Sequence, residues 1–230
     1  MPTLKLGSIT AMTESSGTVT LNSAVIGSGG LRSMQVLTTG TTYVRPTGIT
    51  TIKVYCTGAG GTGGHGGAAY DNGGGAGGGG TAIRIYDVSS TTSITYAIGP
   101  SAGTQSASSD GPAGGTSSFS GPGQTITATG GAGGQHGNNG NVGNAASGVG
   151  VNGQLNLYGS AGDPGNDDTA TNYLSPGTGG DSFWGGGGAA GRTSGTAGSV
   201  GYNGGGGTGG RHGGTGGAGG AGIIVVEEYA

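Results

Sequence analysis

Gly60-Gly61-Thr62-Gly63-Gly64-His65-Gly66-Gly67-Ala68 repeats two glycines and one other residue with a period of three. The pattern returns at Gly206-Gly207-Thr208 and Gly209-Gly210-Arg211, slips by one residue at His212, and resumes as Gly213-Gly214-Thr215, Gly216-Gly217-Ala218 and Gly219-Gly220-Ala221. This period matches neither the 3.6 residues of an α-helix nor the two-residue alternation of a strand. It fits an extended left-handed helix of the polyproline II type, with about three residues per turn and about 3.1 Å of rise, in which every third side chain projects along one edge. The other two edges are bare backbone, so a neighbouring segment can approach more closely than any side chain would allow.

Composition sets the energetic problem. Glycine accounts for 65 of 230 residues, and it loses more backbone freedom on folding than any other residue. With 30% hydrophobic and 5% aromatic residues, an apolar core is available for one small sheet structure but not for the whole chain. A Gly/Ser-rich segment is by default a flexible linker; for these runs to order, backbone hydrogen bonds between segments must compensate, with Cα–H contacts adding to them. Collagen, the other glycine period of three, needs one glycine per triplet without interruption and abundant proline. Seven prolines and a broken register exclude it.

Charge and cysteine usage narrow the function classes. Seven Lys plus Arg against ten Asp plus Glu give a net charge of −3, so no basic face exists for phosphates and nucleic acid is not expected as a partner. The single cysteine, Cys56, rules out internal disulfides and a Cys-rich metal site; its alternation with Ile52 and Val54 marks it as a small buried hydrophobe. Met1-Pro2-Thr3-Leu4-Lys5 has no apolar signal core, and no run reaches the length of a membrane span. The expectation is a chain made in a cytoplasm and not inserted in a membrane; its final location can still be outside a cell if it leaves as part of a particle.

Strand signals frame the glycine. Ile49 to Thr57 alternates, with Ile52, Val54 and Cys56 on one face and Thr51, Lys53 and Tyr55 on the other. Similar patterns occupy 82–88 and 93–98, shorter ones lie within 116–129, and Ile223-Ile224-Val225-Val226-Glu227-Glu228-Tyr229 fits a strand buried on both faces. Nothing shows helical periodicity. The closing strand reaches the early ones only across the whole glycine region, which is therefore read as an insertion pinned at both ends. The fold expected is all-β: a small β-sandwich-like domain with a long glycine-rich insertion forming packed polyglycine II helices near 58–80 and 130–222, and no α-helix. Residues 1–40, with β-branched residues at Thr18 to Ile26 and a weak alternation over Leu31 to Leu37, read as an N-terminal β stalk or connection; 41–230 form the glycine-rich tip domain.

Several blocks, in order, carry a resemblance. Thr42-Tyr43-Val44-Arg45-Pro46-Thr47-Gly48-Ile49-Thr50-Thr51-Ile52-Lys53-Val54 precedes the first triplets; Gly77-Gly78-Gly79-Gly80 precedes a strand; Gly114-Gly115-Thr116-Ser117-Ser118-Phe119 and Gly179-Gly180-Asp181-Ser182-Phe183-Trp184 follow. The ending, Gly216 to Tyr229, is the strongest match. Together, over roughly residues 40 to 230, these resemble the glycine-rich domain at the C-terminal end of bacteriophage and prophage tail fibre proteins. The resemblance implies a non-catalytic, receptor-recognising role at the distal end of a virion fibre. It also implies packed polyglycine II helices and a homotrimer joined to the rest of the fibre, although some related adhesins cap a separate fibre as monomers.

Chemical motifs stand out little against this glycine background. At this glycine content G-x-G-x-x-G arises by chance about five times and says nothing about dinucleotides. The lysine-bearing phosphate loop is absent, because Lys5 and Lys53 are the only lysines. His65, His136 and His212 all sit among glycines, where an edge or solvent role is the plain reading, and no serine has a nucleophile setting. Asp163, Asp167 and Asp168 match no calcium loop and read as turn chemistry. No cofactor or metal is expected, and no paired carboxylates suggest a depolymerase.

The segments that interrupt glycine are the better candidates. Ala68-Ala69-Tyr70-Asp71-Asn72 joins two glycine runs, and Gln154 to Pro176 contains Leu155, Leu157, Tyr158, Tyr173 and Leu174. Runs joined in a zigzag need turns, turns at one end form a tip, and tyrosine gives rigid contact area at low entropy cost. Tyr70, Asp71, Asn72, Tyr158, Asp167, Asp168 and Tyr173 are therefore the candidate contacts for a bacterial surface receptor, a glycan or an outer-membrane protein. The alternative is a purely structural or fibre-capping polyglycine protein, including the ice-binding type; the mixed sizes and charge of Thr62, His65, Ala68, Thr208, Arg211 and Thr215 count against a flat ice-binding row.

Overall fold

The computed structural model describes residues 30–67, 71–138, 142–166, 175–191, 193 and 195–230, and the strand backbones at 3–6, 9–15 and 18–21. Among the described residues every regular element is a strand, as the sequence led us to expect. β1 (Thr3–Leu6), β2 (Ile9–Ser15) and β3 (Thr18–Leu21) form an antiparallel sheet of their own. The stretch read from the sequence as continuing to Ile26 lies, beyond Leu21, outside the described residues.

Two five-stranded antiparallel sheets follow. Their strands are β4 (Leu31–Leu37), β5 (Thr42–Val44), β6 (Thr51–Thr57), β7 (Thr81–Asp87), β8 (Ser93–Ala97), β9 (Ser117–Gly121), β10 (Gln124–Ala128), β11 (Gly150–Val151), β12 (Leu155–Leu157) and β13 (Ile223–Tyr229). One sheet has the order β11-β10-β9-β8-β5 and the other β12-β7-β6-β13-β4. Because side chains alternate across a strand, Ile52, Val54 and Cys56 of β6, Ile224 and Val226 of β13, Tyr96 of β8, Phe119 of β9 and Ile126 of β10 meet in one buried cluster. Burial pushes the Cys56 thiol up to about 12, which keeps it a protonated, inert core group.

β13 pairs with β6 on one side and β4 on the other, so the chain closes on itself across the entire glycine region. The stretch at 31–37, which reads from sequence as part of the N-terminal segment, is thus an edge strand of this sheet. A buried carboxylate helps hold it: Glu228 accepts from the Tyr43 hydroxyl at 2.7 Å and Gln35 Nε2 at 2.8 Å, and from the Ser33 hydroxyl. Glu228 therefore ties β4 to β5 in the opposite sheet. Burial first, then the bond to Glu228, raises the Tyr43 hydroxyl well above the ordinary phenol value.

The strands run straight into extended glycine segments that stack beyond the end of the sandwich. Along 58–67 the amides donate to three neighbours in rotation. Gly58, Gly61 and Gly64 reach Gly80, Gly77 and Gly74; Ala59 and Thr62 reach Gly115 and Pro112; Gly60, Gly63 and Gly66 reach Gly220, Gly217 and Gly214, all at 2.9–3.0 Å. This three-residue rotation is what polyglycine II geometry dictates. Run 71–80 is enclosed: its amides reach runs 129–137, 159–166 and 204–211, and its carbonyls accept from runs 58–67, 142–149 and 175–181, making six neighbours in a hexagonal array.

Glycine is required here by direct backbone approach. A Cβ on Gly63 would meet the Thr208 carbonyl, one on Gly216 the Gly63 carbonyl, and one on Gly73 the Gly64 carbonyl, each well inside 3.0 Å. Several third-position residues are not on an open edge. Thr62 and Thr208 are wholly buried: the Thr62 hydroxyl donates to the Gly103 carbonyl at 2.6 Å, and Thr208 Oγ1 accepts from the Ser199 amide at 2.7 Å.

Candidate functional site

Run directions alternate. Runs 58–67, 129–137, 159–166 and 204–211 lead away from the sandwich, whereas 71–80, 142–149, 175–181 and 214–222 return to it, as their ladders with one another show. The run ends at Gly67 and Asp71, at Gly137 and Val142, and at Asn166 and Ser175 therefore lie at the far end of the lattice, together with the turn at His212 and Gly213.

At this end lies a groove of about 410 Å³ lined by His65, Asp71, Ser108, His136, Asn138 and the glycines 66, 67, 137 and 213. The His65 and His136 rings are 5.7 Å apart at their centroids and tilted by 49°. His136 is fixed twice, by a 2.9 Å contact of its Nδ1 with the His65 carbonyl and by its amide, which donates to Asp110 Oδ1 at 2.8 Å. His65 Nδ1 is buried without a hydrogen-bond partner among the described residues. Behind the groove the chain turns at His212 and Gly213, whose φ angles of 41° and 77° lie in the left-handed region. The turn is closed by the Gly214 amide on the Arg211 carbonyl, and the His212 amide donates to the Asp71 carbonyl.

The residues expected from sequence separate into three groups. Asp71 lines the groove and is 8% exposed; Asn72 is wholly buried beneath it, donating from Nδ2 to the Asn166 carbonyl at 2.6 Å, a structural placement. Tyr158 is at the opposite end, directly after β12 and bridged to Val149, with its side chain 75% exposed. Tyr70, Asp167, Asp168 and Tyr173 lie outside the described residues. Leu155 and Leu157, which read from sequence as part of a connecting loop, belong instead to β12 and pair with β7.

His65 and His136 are the groove residues that sequence reasoning assigned only to edges. Each interrupts a glycine run, which is the available signal, but 71 positions separate them and only the lattice brings them together. Among the described residues, no three His, Cys, Asp or Glu side chains gather where they could hold a metal ion. What the groove offers is hydrogen-bonding and imidazole surface.

A second surface lies beside the sandwich. Tyr55 on the outer face of β6 stacks against Phe183 at 5.8 Å and meets Trp184 edge-on at 5.4 Å. Ser182 Oγ holds that turn by accepting from the Trp184 and Gly185 amides. Phe183 and Trp184 also meet edge-on at 5.0 Å, so the three rings form one aromatic group in which Phe183 and Trp184 stay partly exposed.

Residues 36–229 match the model of a glycine-rich domain family. No curated protein matches the chain. With nearly its whole length covered, the chain belongs to this glycine-rich domain family.

Proposed function

We propose that this glycine-rich domain is the tip of a bacteriophage or prophage tail fibre, a non-catalytic adhesin that binds a receptor on the bacterial surface. The carrying observation is the alternation of run direction, which collects connections at one end of a stiff lattice and opens a groove there. An adhesin needs variable side chains held on a scaffold that does not yield, and backbone-to-backbone packing supplies such a scaffold. The sequence resemblance to tail fibre tips supports the same reading.

The fibre would join at the other end. Leu31, Met34 and Val36 form an exposed apolar row along the edge strand β4, suited to contact between subunits of a homotrimer; sedimentation of the purified chain tests that contact. The function itself is tested by incubating fluorescently labelled protein with a panel of intact bacteria and of derivatives stripped of individual surface components. Labelling of particular strains, lost with one surface component, is expected. Failure to label any strain would sink the adhesin reading.

A further inference from the structure

We infer that the groove between His65, His136 and Asp71 binds a neutral saccharide, a mono- or disaccharide unit of a surface glycan. This rests on the surface-receptor reading and assigns it a ligand class. The groove volume of about 410 Å³ falls at the smaller end of the range of about 300–1,000 Å³ used for small ligands.

Its lining matches what a sugar presents. A pyranose ring carries hydroxyls that both donate and accept, and C–H faces that pack on π surfaces. Asp71, nearly buried, supplies acceptor oxygens for donated hydroxyls; Asn138 and Ser108 both donate and accept. The two imidazoles, set 5.7 Å apart and one of them locked by Asp110 and the His65 carbonyl, offer flat surfaces in fixed orientation. The glycines at 66, 67 and 137 put bare backbone on the groove wall, with no side chain to fill the space.

The same lining argues against other ligands. Among the described residues no lysine or arginine lines the groove, and the Asp71 carboxylate opposes an anion, so phosphate and acidic sugars are disfavoured. No aliphatic side chain among the described residues lines it either, so they offer no anchor for a hydrophobic peptide.

The test uses the full chain on an array of bacterial surface polysaccharides and core oligosaccharides that includes neutral and acidic members, followed by proton NMR of the histidine ring signals with each bound glycan. Binding of at least one neutral glycan is expected, with shifts of the His65 and His136 signals. Asp71→Asn should weaken binding about tenfold or more, the loss of one charged hydrogen-bond acceptor, without changing the melting temperature. Asn138→Ala, at an exposed position, provides a second variant should Asp71→Asn fold poorly. Absence of neutral glycan binding, binding of acidic glycans alone, or equal binding by both variants would overturn the assignment. Cells labelled without glycan binding would reject the saccharide and leave the adhesin standing. Glycan binding without labelling of any cell would do the reverse.

Discussion

The sandwich and the glycine lattice meet the same conformational cost, about 1–2 kcal/mol of backbone entropy per ordered residue, by opposite means. The sandwich buries side chains such as Phe119, Ile52 and Ile126 between two sheets and gains from apolar area removed from water. The lattice has almost no side chains to bury and instead satisfies its amides with neighbouring carbonyls in three directions. A core side chain can rotate or be replaced by one of similar volume. A carbonyl oxygen facing a glycine Cα has nowhere to go. The lattice should therefore be less tolerant of substitution than the hydrophobic core, the reverse of the usual relation between core and loop.

The sharpest way to break that contrast is Gly63→Val or Gly216→Val. Each places a branched side chain on an opposing backbone carbonyl, and the expected outcome is loss of cooperative thermal unfolding, a cost above about 5 kcal/mol. An unchanged melting curve would mean that the runs are not close-packed. Phe119→Ala in the sandwich should cost less, about 3–5 kcal/mol in urea unfolding. If it proves the more damaging change, the comparison is inverted.

Glu228→Ala removes the acceptor shared by Tyr43, Gln35 and Ser33. A loss of about 2–3 kcal/mol is expected, with faster amide exchange concentrated in β4 rather than in the lattice. Alkaline pH should also act on the sandwich alone. Cys56 and Tyr86 are each pushed up to about 12 by burial, from ordinary values of 9.0 and 10.0, and Tyr43 is raised as well. A raised acid favours its protonated form in the folded state. Its stabilising contribution is thus full below the unfolded value and declines as pH climbs from about 9 towards 12. Melting temperatures measured across that window should fall, and Cys56→Ala should shallow the early part of the decline.

The smallest effect is the most discriminating. Gly186 and Gly187 are adjacent, yet a Cβ on Gly186 finds only Asp181 Oδ1 at 3.8 Å, whereas one on Gly187 strikes the Gly179 carbonyl. Gly186→Ala should change stability by about 0.5 kcal/mol or less, while Gly187→Ala should be plainly destabilising in the same assay.

Much of the sandwich was legible because alternation reports which face of a strand is buried. β6, β7 and β8 each carry that pattern, β13 shows instead as an apolar run buried on both faces, and Cys56 fell where its neighbours placed it. The triplets likewise announced polyglycine II. What they cannot encode is adjacency, since one glycine face looks like another and partner runs are chosen by non-local backbone bonds. Nothing near Thr62 or Thr208 says that these side chains turn inward. β12 was hidden by its shortness and by its pairing with β7 from 74 residues away in sequence, counting from Ala82 to Asn156. At the candidate site, Asp71 was visible as a break in glycine. The pairing of His65 with His136 depends on the lattice itself.

The antiparallel ladder between β4 and β13 also has a mechanical meaning. Leu31 pairs with Tyr229 at the end of the sandwich away from the lattice, and Leu37 pairs with Ile224 beside it. Tension drawn along the chain from the N-terminal side, against a load held at the far end of the lattice, pulls β4 lengthwise past β13. The ladder bonds then share the force in shear instead of opening one after another.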